Sequence, residues 1–231
     1  MNSILNCRIQ AKPEILKLIG SSGLPEGVKR YCADMVSGKL CSSLKTALRT
    51  NAVAVIGNID RLLTDGSGIL ARSKEEILFA TGFNKNNVSP ERFEAALAEI
   101  RAVAFLHAGG FSGLKLIGTG IKRTADIRGV RGGKKYVFEV CCIQTANDLI
   151  SADYLELKYD KKVRQVNSSR KECGCACGGL IFVMDPSGLS ASADAPGYKD
   201  LARELYARKN NPPATHICIL SGSSGCVFPE W

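Results

Sequence analysis

The stretch "TADIRGVRGGKKYVFEVCC" (residues 124–142) decides the reading of this chain. Two β-type runs flank Gly132-Gly133, a pair suited to a tight hairpin turn. Each run carries one acid, Asp126 and Glu139. Side chains alternate along a strand, so Lys135, Val137, Glu139 and Cys141 share one face, and Tyr136, Phe138 and Val140 share the other. Glu139 therefore leaves the sheet between Val137 and Cys141. A carboxylate among apolar neighbours is costly to desolvate unless a cation accompanies it. A divalent ion such as Mg²⁺ is one such partner, because it takes oxygen ligands and completes its shell with water and phosphate oxygens.

Outward from this hairpin the pattern is that of an α/β domain. Upstream, Ser89-Pro90-Glu91 is a helix start, and "PERFEAALAEIRAVAFLHA" runs to Gly109-Gly110. Short β-type segments follow at 113–120, 125–130 and 135–143. "DKKVRQVNSSRKECGC" (160–175) reads as helix, "GGLIFVMD" (178–185) as a buried strand, "GYKDLARELYARK" as helix and "THICILSG" (215–222) as a last strand. The order α-β-β-β-α-β-α-β predicts helices on a mixed central sheet. Residues 1–88 read as a helical domain: "KPEILKLIG", "EGVKRYCADMV" and a long run from Leu40 carry helical periodicity, and Ser73 is a cap before "KEE". The polar, proline-bearing "NKNNVSPERF" (84–93) is the expected boundary, giving domains 1–88 and 89–231.

Composition bounds the function. The 231 residues are 45% hydrophobic and 23% charged, and no run is long and apolar enough to predict a membrane span. The N-terminus lacks the apolar stretch of a secretory signal, so a cytoplasmic location is expected. Ten cysteines then read as buried thiols in preference to disulfides. The formal net charge of +9 gathers in two clusters. Residues 115–135 hold seven lysines and arginines against Asp126 alone, and residues 158–171 hold six against Asp160. A polyanion such as nucleic acid is the natural partner of such a surface, solvated lysines being the plainer reading.

The acids, in their order, resemble the PD-(D/E)xK nuclease superfamily, the restriction-endonuclease-like fold, over residues 90 to about 222. "AEIRAVAFLHAGGF" (98–111) is similar to the first helix of Holliday-junction resolvases in that superfamily, "KRTADI" (122–127) to the Lys-x-Pro-Asp approach to its hairpin with Ala125 for proline, and "YVFEVCC" (136–142) to its Glu-x-Lys strand. The resemblance implies a restriction-endonuclease-like α-β-β-β-α-β core and metal-dependent phosphodiester hydrolysis of nucleic acid, DNA ahead of RNA. It implies Mg²⁺ or Mn²⁺ held by Glu99 (with Glu94 as second choice), Asp126, Glu139 and the carbonyl of Val140. It makes Asp126, Glu139, Cys141 and Gln165 the expected catalytic positions. Lys122, Arg123, Arg128, Lys134, Lys161 and Arg164 are expected to meet the nucleic acid. Homodimers are common in the superfamily, so a homodimer is a further expectation.

Cys141 stands where the pattern has lysine. A thiol supplies no fixed positive charge. Lys135 is about 20 Å along the strand, which leaves Arg128 and the group Lys161, Lys162, Arg164 and Gln165 as candidates to replace it. The alternative is a binding protein on the same fold that has lost catalysis. "CGCAC" (173–177) admits a metal-thiolate reading with Cys141 or Cys142, but packing thiols suit its spacing better. His107 falls near a helix end and His216 reads as structural. No nucleophile–histidine pair, P-loop or dinucleotide fingerprint is present.

Overall fold

A computed structural model describes residues 11–38, 43–83, 90–117, 125–143, 150–184, 197–211, 214–222 and 224–231. By its internal contacts the chain divides into two compact units after Arg61. The first holds α1 (Lys12–Ser21), α2 (Glu26–Ser37) and the beginning of α3 (Ser43–Leu70), which is broken at Asn51 (φ −153°, ψ 73°). Ile15, Ile19, Val28, Cys32, Leu48 and Val55 form its buried interior.

The second unit begins with the rest of α3 and α4 (Lys74–Ala80). Ser73 caps α4 as its sequence predicts: its Oγ accepts the Glu76 N–H at 3.2 Å, while Glu76 Oε2 accepts the Ser73 N–H at 2.8 Å. α3 lies against α4 and α5 (Pro90–Ala108): a Cβ on Gly66 of α3 would lie 2.7 Å from Ile100 and 3.4 Å from Ile77, and the rings of Phe83, after α4, and Phe93 sit 4.9 Å apart. Sequence reading carried the helical domain to residue 88, whereas the compact units part within α3. Residues 84–89 lie outside the described residues.

The rest of the unit is one six-stranded mixed sheet, so the class is α/β, as expected. Its strands are β1 (Ser112–Leu116), β2 (Ile127–Arg131), β3 (Lys134–Ile143), β4 (Cys177–Met184), β5 (Thr215–Ser221) and β6 (Ser224–Phe228), side by side in chain order. β3–β4 and β4–β5 are parallel and the other pairs antiparallel. The parallel connections carry α6 (Ala152–Glu172) and α7 (Tyr198–Arg208). Gly132 (φ 56°) and Gly133 (φ 74°) make the β2–β3 turn, with Arg131 opposite Lys134. Two consecutive positive φ values are what a type I′ hairpin needs and what glycine supplies.

α5 covers one face of the sheet, where Phe111 and Trp231 stack edge-on at 4.9 Å above Tyr136 and Phe138. α6 and α7 cover the other, burying Leu155, Tyr159, Val166 and Leu205 against Cys141, Leu180, Phe182 and Ile217. A Cβ on Gly178 would stand 3.0 Å from Val166 Cγ1 and 2.9 Å from the Arg170 chain, so the glycine lets α6 lie close on β4. Two elements differ from expectation. α6 begins at Ala152 and not near Asp160, because the Ser151 Oγ accepts the Tyr154 N–H at 3.2 Å and starts the helix earlier. β6 was not foreseen; its residues are exposed or half-buried, so it lacks the apolar run that marks β4 and β5.

Candidate functional site

Asp126 lies one residue before β2. Its N–H donates to the Phe138 carbonyl at 2.9 Å and its own carbonyl accepts the Ile117 N–H at 2.8 Å, so strands on both sides fix its backbone. Its Oδ2 accepts the Val140 N–H at 2.7 Å, leaving Oδ1 as the oxygen it can offer. The preceding Ala125 N–H donates to the buried Ser169 Oγ of α6 at 2.7 Å, tying this corner to the helix. Glu139, in mid-β3, is 0% exposed. Glu99 comes from α5 and is 9% exposed.

The cation that accompanies these acids is Lys162 of α6, whose Nζ forms a hydrogen-bonded ion pair with Glu139 Oε1. Leu155, Tyr159, Val166 and Ser169 are the buried stripe of α6, and Lys162 falls between Tyr159 and Val166 on that stripe. Its ammonium also acts on Asp126, Glu99 and Cys141. The helix packed over β3 thus places an ammonium beside Glu139 and within electrostatic reach of Cys141.

Arg92 adds a second positive charge. It sits seven residues before Glu99, on the same side of α5, and lowers the carboxyls of both Glu99 and Asp126. Its guanidinium donates to the Thr81 carbonyl and passes over Gly82, where a Cβ would collide with Nη2.

Burial dominates the electrostatics. It pushes the Glu99 carboxyl well above its ordinary range, helped by the charges of Asp126 and Glu139 and opposed by Arg92 and Lys162. Asp126 is also raised, first by burial, against the Val140 N–H, Lys162 and Arg92. Burial works against the Lys162 ammonium, but Glu139, its hydrogen bond, Asp126 and Cys141 together leave it above the usual lysine value. Burial raises the Cys141 thiol despite Lys162 and Lys158, so Cys141 is a neutral group near pH 7.

The expected site residues are therefore distributed as follows. Glu99, Asp126, Glu139 and Cys141 share one electrostatic neighbourhood with Lys162. Glu94 is buried too (5% exposed), but lies about 140° round α5 from Glu99. Val140 contributes its N–H to Asp126. Gln165 is half-buried one turn after Lys162, and Lys161, Arg164, Arg128 and Lys134 are exposed. Arg128 acts on Cys175 beside Lys135 and Arg170, so the nearest sequence candidate for the missing lysine points elsewhere. Lys161 and Arg164 are corrected in the same way: they flank Lys162 on the exposed side of α6. That segment is mid-helix and does not open α6. Lys122 and Arg123 lie outside the described residues.

Among the described residues no group of three His, Cys, Asp or Glu side chains converges into a ready metal nest. Glu99 feels the charges of Asp126 and Glu139, but Asp126 turns to Val140 and Glu139 to Lys162. The donor chemistry nevertheless fits a hard divalent ion: all donors are carboxylate oxygens, burial raises two of the three carboxyls (Glu99 also through the charges of Asp126 and Glu139), and Mg²⁺ needs only one or two protein carboxylates. The thiolate reading does not fit. Cys177 is opposite Tyr136 on β3, five residues from Cys141, or about 16 Å. The eight described cysteines are free thiols. His216 is buried, its Nδ1 2.9 Å from the Pro229 carbonyl, which is a structural setting.

No helix among the described residues is long and apolar enough to cross a membrane. No protein-family model matches the chain, and neither a curated protein nor a solved structure matches it.

Proposed function

We propose that this chain is a metal-dependent nuclease of the restriction-endonuclease-like class, acting on DNA, in which the motif lysine is carried by α6 as Lys162 and not by β3. The observation that supports this reading is the Lys162–Glu139 ion pair within a buried group of acids, beside the position that would otherwise bear the lysine. The element order α5-β1-β2-β3-α6-β4 supports the same class.

Glu99, Asp126 through Oδ1, and Glu139 would hold Mg²⁺ or Mn²⁺. Such an ion supplies a water of lowered pKa and neutralises charge developing on the phosphodiester. The chain's own groups divide the remaining work. Lys162 has a raised pKa and stays an ammonium at neutral pH, so it acts as a hydrogen-bond donor and fixed positive charge and not as a base. From Glu139 it can hold a water or a phosphate oxygen in line. The Val140 N–H fixes the rotamer of Asp126. Ser169 fixes the backbone that carries it.

The test is cleavage of single-stranded, duplex and branched DNA, and of RNA, with Mg²⁺, Mn²⁺ or EDTA. Wild type should cut DNA only with metal, and Glu139→Ala and Lys162→Met should not. Binding without cutting under every condition would favour the other reading, a nuclease fold that only holds nucleic acid.

A further inference from the structure

The face of the sheet that α6 and α7 cover is only partly roofed. α6 lies on β3 and β4, and α7 packs with β5 and β6. Among the described elements no helix covers the same face of β1 and β2 or the turn end of β3. Leu114 and Leu116 point to the α5 side and are buried, so Lys115 between them points to the open side and is exposed. Lys115 is in register with Arg128, and Arg128 with Val137, which lies on the Glu139 face. Lys135 is two residues before Val137 and shares that face. Arg128 and Lys135 are exposed as well.

Three cations thus cross three adjacent strands, with roots about 5–7 Å apart. Arg170 closes the row from the last turn of α6, where it anchors on the Ala176 carbonyl at 2.6 Å. Arg128, Lys135 and Arg170 all lie within electrostatic reach of the Cys175 thiol. None of Lys115, Arg128 and Lys135 enters an ion pair among the described residues. The cations at the end of α7 do: Arg208 meets Asp153, Glu156 and Glu204, and Lys209 meets Glu156 and Asp160. Acids neutralise one end of this face and leave the other uncompensated.

We infer that the open face formed by Lys115, Arg128 and Lys135, with Arg170 at its border, is the surface that holds the phosphate backbone of a DNA strand. The choice of DNA rests on the function proposed above; the surface itself rests on charge and exposure. Arg128 is two residues from Asp126 and Lys135 four from Glu139, about 7 and 13 Å along their strands on the same face. A strand crossing this row runs past the acids and Lys162. The contacts are to phosphates and carry no base recognition.

The experiment is fluorescence anisotropy of labelled duplex and single-stranded DNA in EDTA, over a salt series. The variant is Lys115→Gln/Arg128→Gln/Lys135→Gln. A charge-matched control removes three exposed cations of the first unit, Lys12→Gln/Lys17→Gln/Arg49→Gln. Thermal melts check that both fold. The row variant should bind at least tenfold more weakly, and the slope of log affinity against log salt should shrink by about 2–3, near 0.7–0.9 per lost phosphate contact. The control should bind within about threefold of wild type. Lys115→Arg/Lys135→Arg should bind like wild type. Unchanged DNA binding in the row variant, or an equal loss in the control, overturns the inference. So does a row variant that cuts DNA with unaltered KM, and that result leaves the proposed nuclease standing. Binding lost in the row variant of a wild type that never cuts leaves this surface standing and removes the nuclease.

Discussion

α6 carries two electrostatic arrangements of opposite kind. Along its first turns, Asp153, Glu156 and Asp160 meet Arg208 at the end of α7 and Lys209 just after it in an exposed network. Half a helix later, Lys162 reaches inward to Glu139, which has no exposed surface. Exposed pairs form readily because water has little to give up, and each is worth little. A buried pair pays heavily in lost hydration, and apolar residues of similar volume would often serve stability as well or better. Here the cost is compounded by Asp126 and Glu99, acids raised by burial in the same neighbourhood. Stability alone does not explain gathering three carboxyls, two of them buried, around one half-buried ammonium, and perturbed titratable groups clustered in this way mark a candidate functional site.

The comparison breaks first at Lys162. Replacing it with Met should reduce metal-dependent cleavage by at least about 10²-fold, the scale of one fixed electrostatic donor. It should also destabilise the fold by roughly 1–3 kcal/mol, because Glu139 stays in the core without its ammonium while solvent already screens the half-exposed Lys162 side of the pair. Chemical denaturation and single-turnover kinetics measure the two separately. Removing a network partner by Arg208→Gln should cost less than about 1 kcal/mol and leave cleavage unchanged.

Glu99→Gln should separate function from stability. Both Glu99 and Asp126 have raised folded-state pKa values, so the stability tied to their protonation is fully present below the unfolded carboxyl pKa and is lost as pH rises through the folded value. The variant should therefore melt higher than wild type, by about 2–4 °C for a gain on the order of 1 kcal/mol. The difference should widen from pH 4 to pH 7 and shrink when Mg²⁺ is added. Cleavage should fall. A variant that melts lower at pH 7 would mean the Glu99 charge is well compensated where it stands.

Among the residues around Glu139, the smallest expected effect is at Cys141. Its neutral thiol packs with Leu180 and Phe182 among the residues under α6. Cys141→Ala should leave kcat unchanged within about threefold and cost roughly 1 kcal/mol of packing. A large loss of kcat with normal stability would give the thiol a chemical role.

Much of this was legible in the chain. Glycine punctuation marked β1 to β3, continuous apolar runs marked β4 and β5, and the acid inside an apolar strand marked Glu139. β6 escaped because "SGCVF" is a half-exposed edge with little apolar signal. Lys162 as the partner of Glu139 escaped for a sharper reason. The inward stripe Leu155, Tyr159, Lys162, Val166, Ser169 selects Lys162 over Lys161 and Arg164 only if the helix is started at Ser151. Begun at Asp160, the stripe is too short to show its phase. Arg92 was legible only as a partner of Glu99 seven residues on, a relation that matters once Glu99 is known to be buried. The bond from Ser169 to the Ala125 N–H joins residues 44 apart and left no local trace.

The most direct test of the central claim moves the lysine back. Cleavage of DNA with Mg²⁺ would be compared among wild type, Lys162→Met and Lys162→Met/Cys141→Lys. The account predicts metal-dependent cutting in wild type, loss in the single variant, and recovery of at least a tenth of the rate in the double variant, whose lysine stands two residues from Glu139 on the same face of β3. Full activity in Lys162→Met, or no cutting by wild type with any divalent metal, would contradict it.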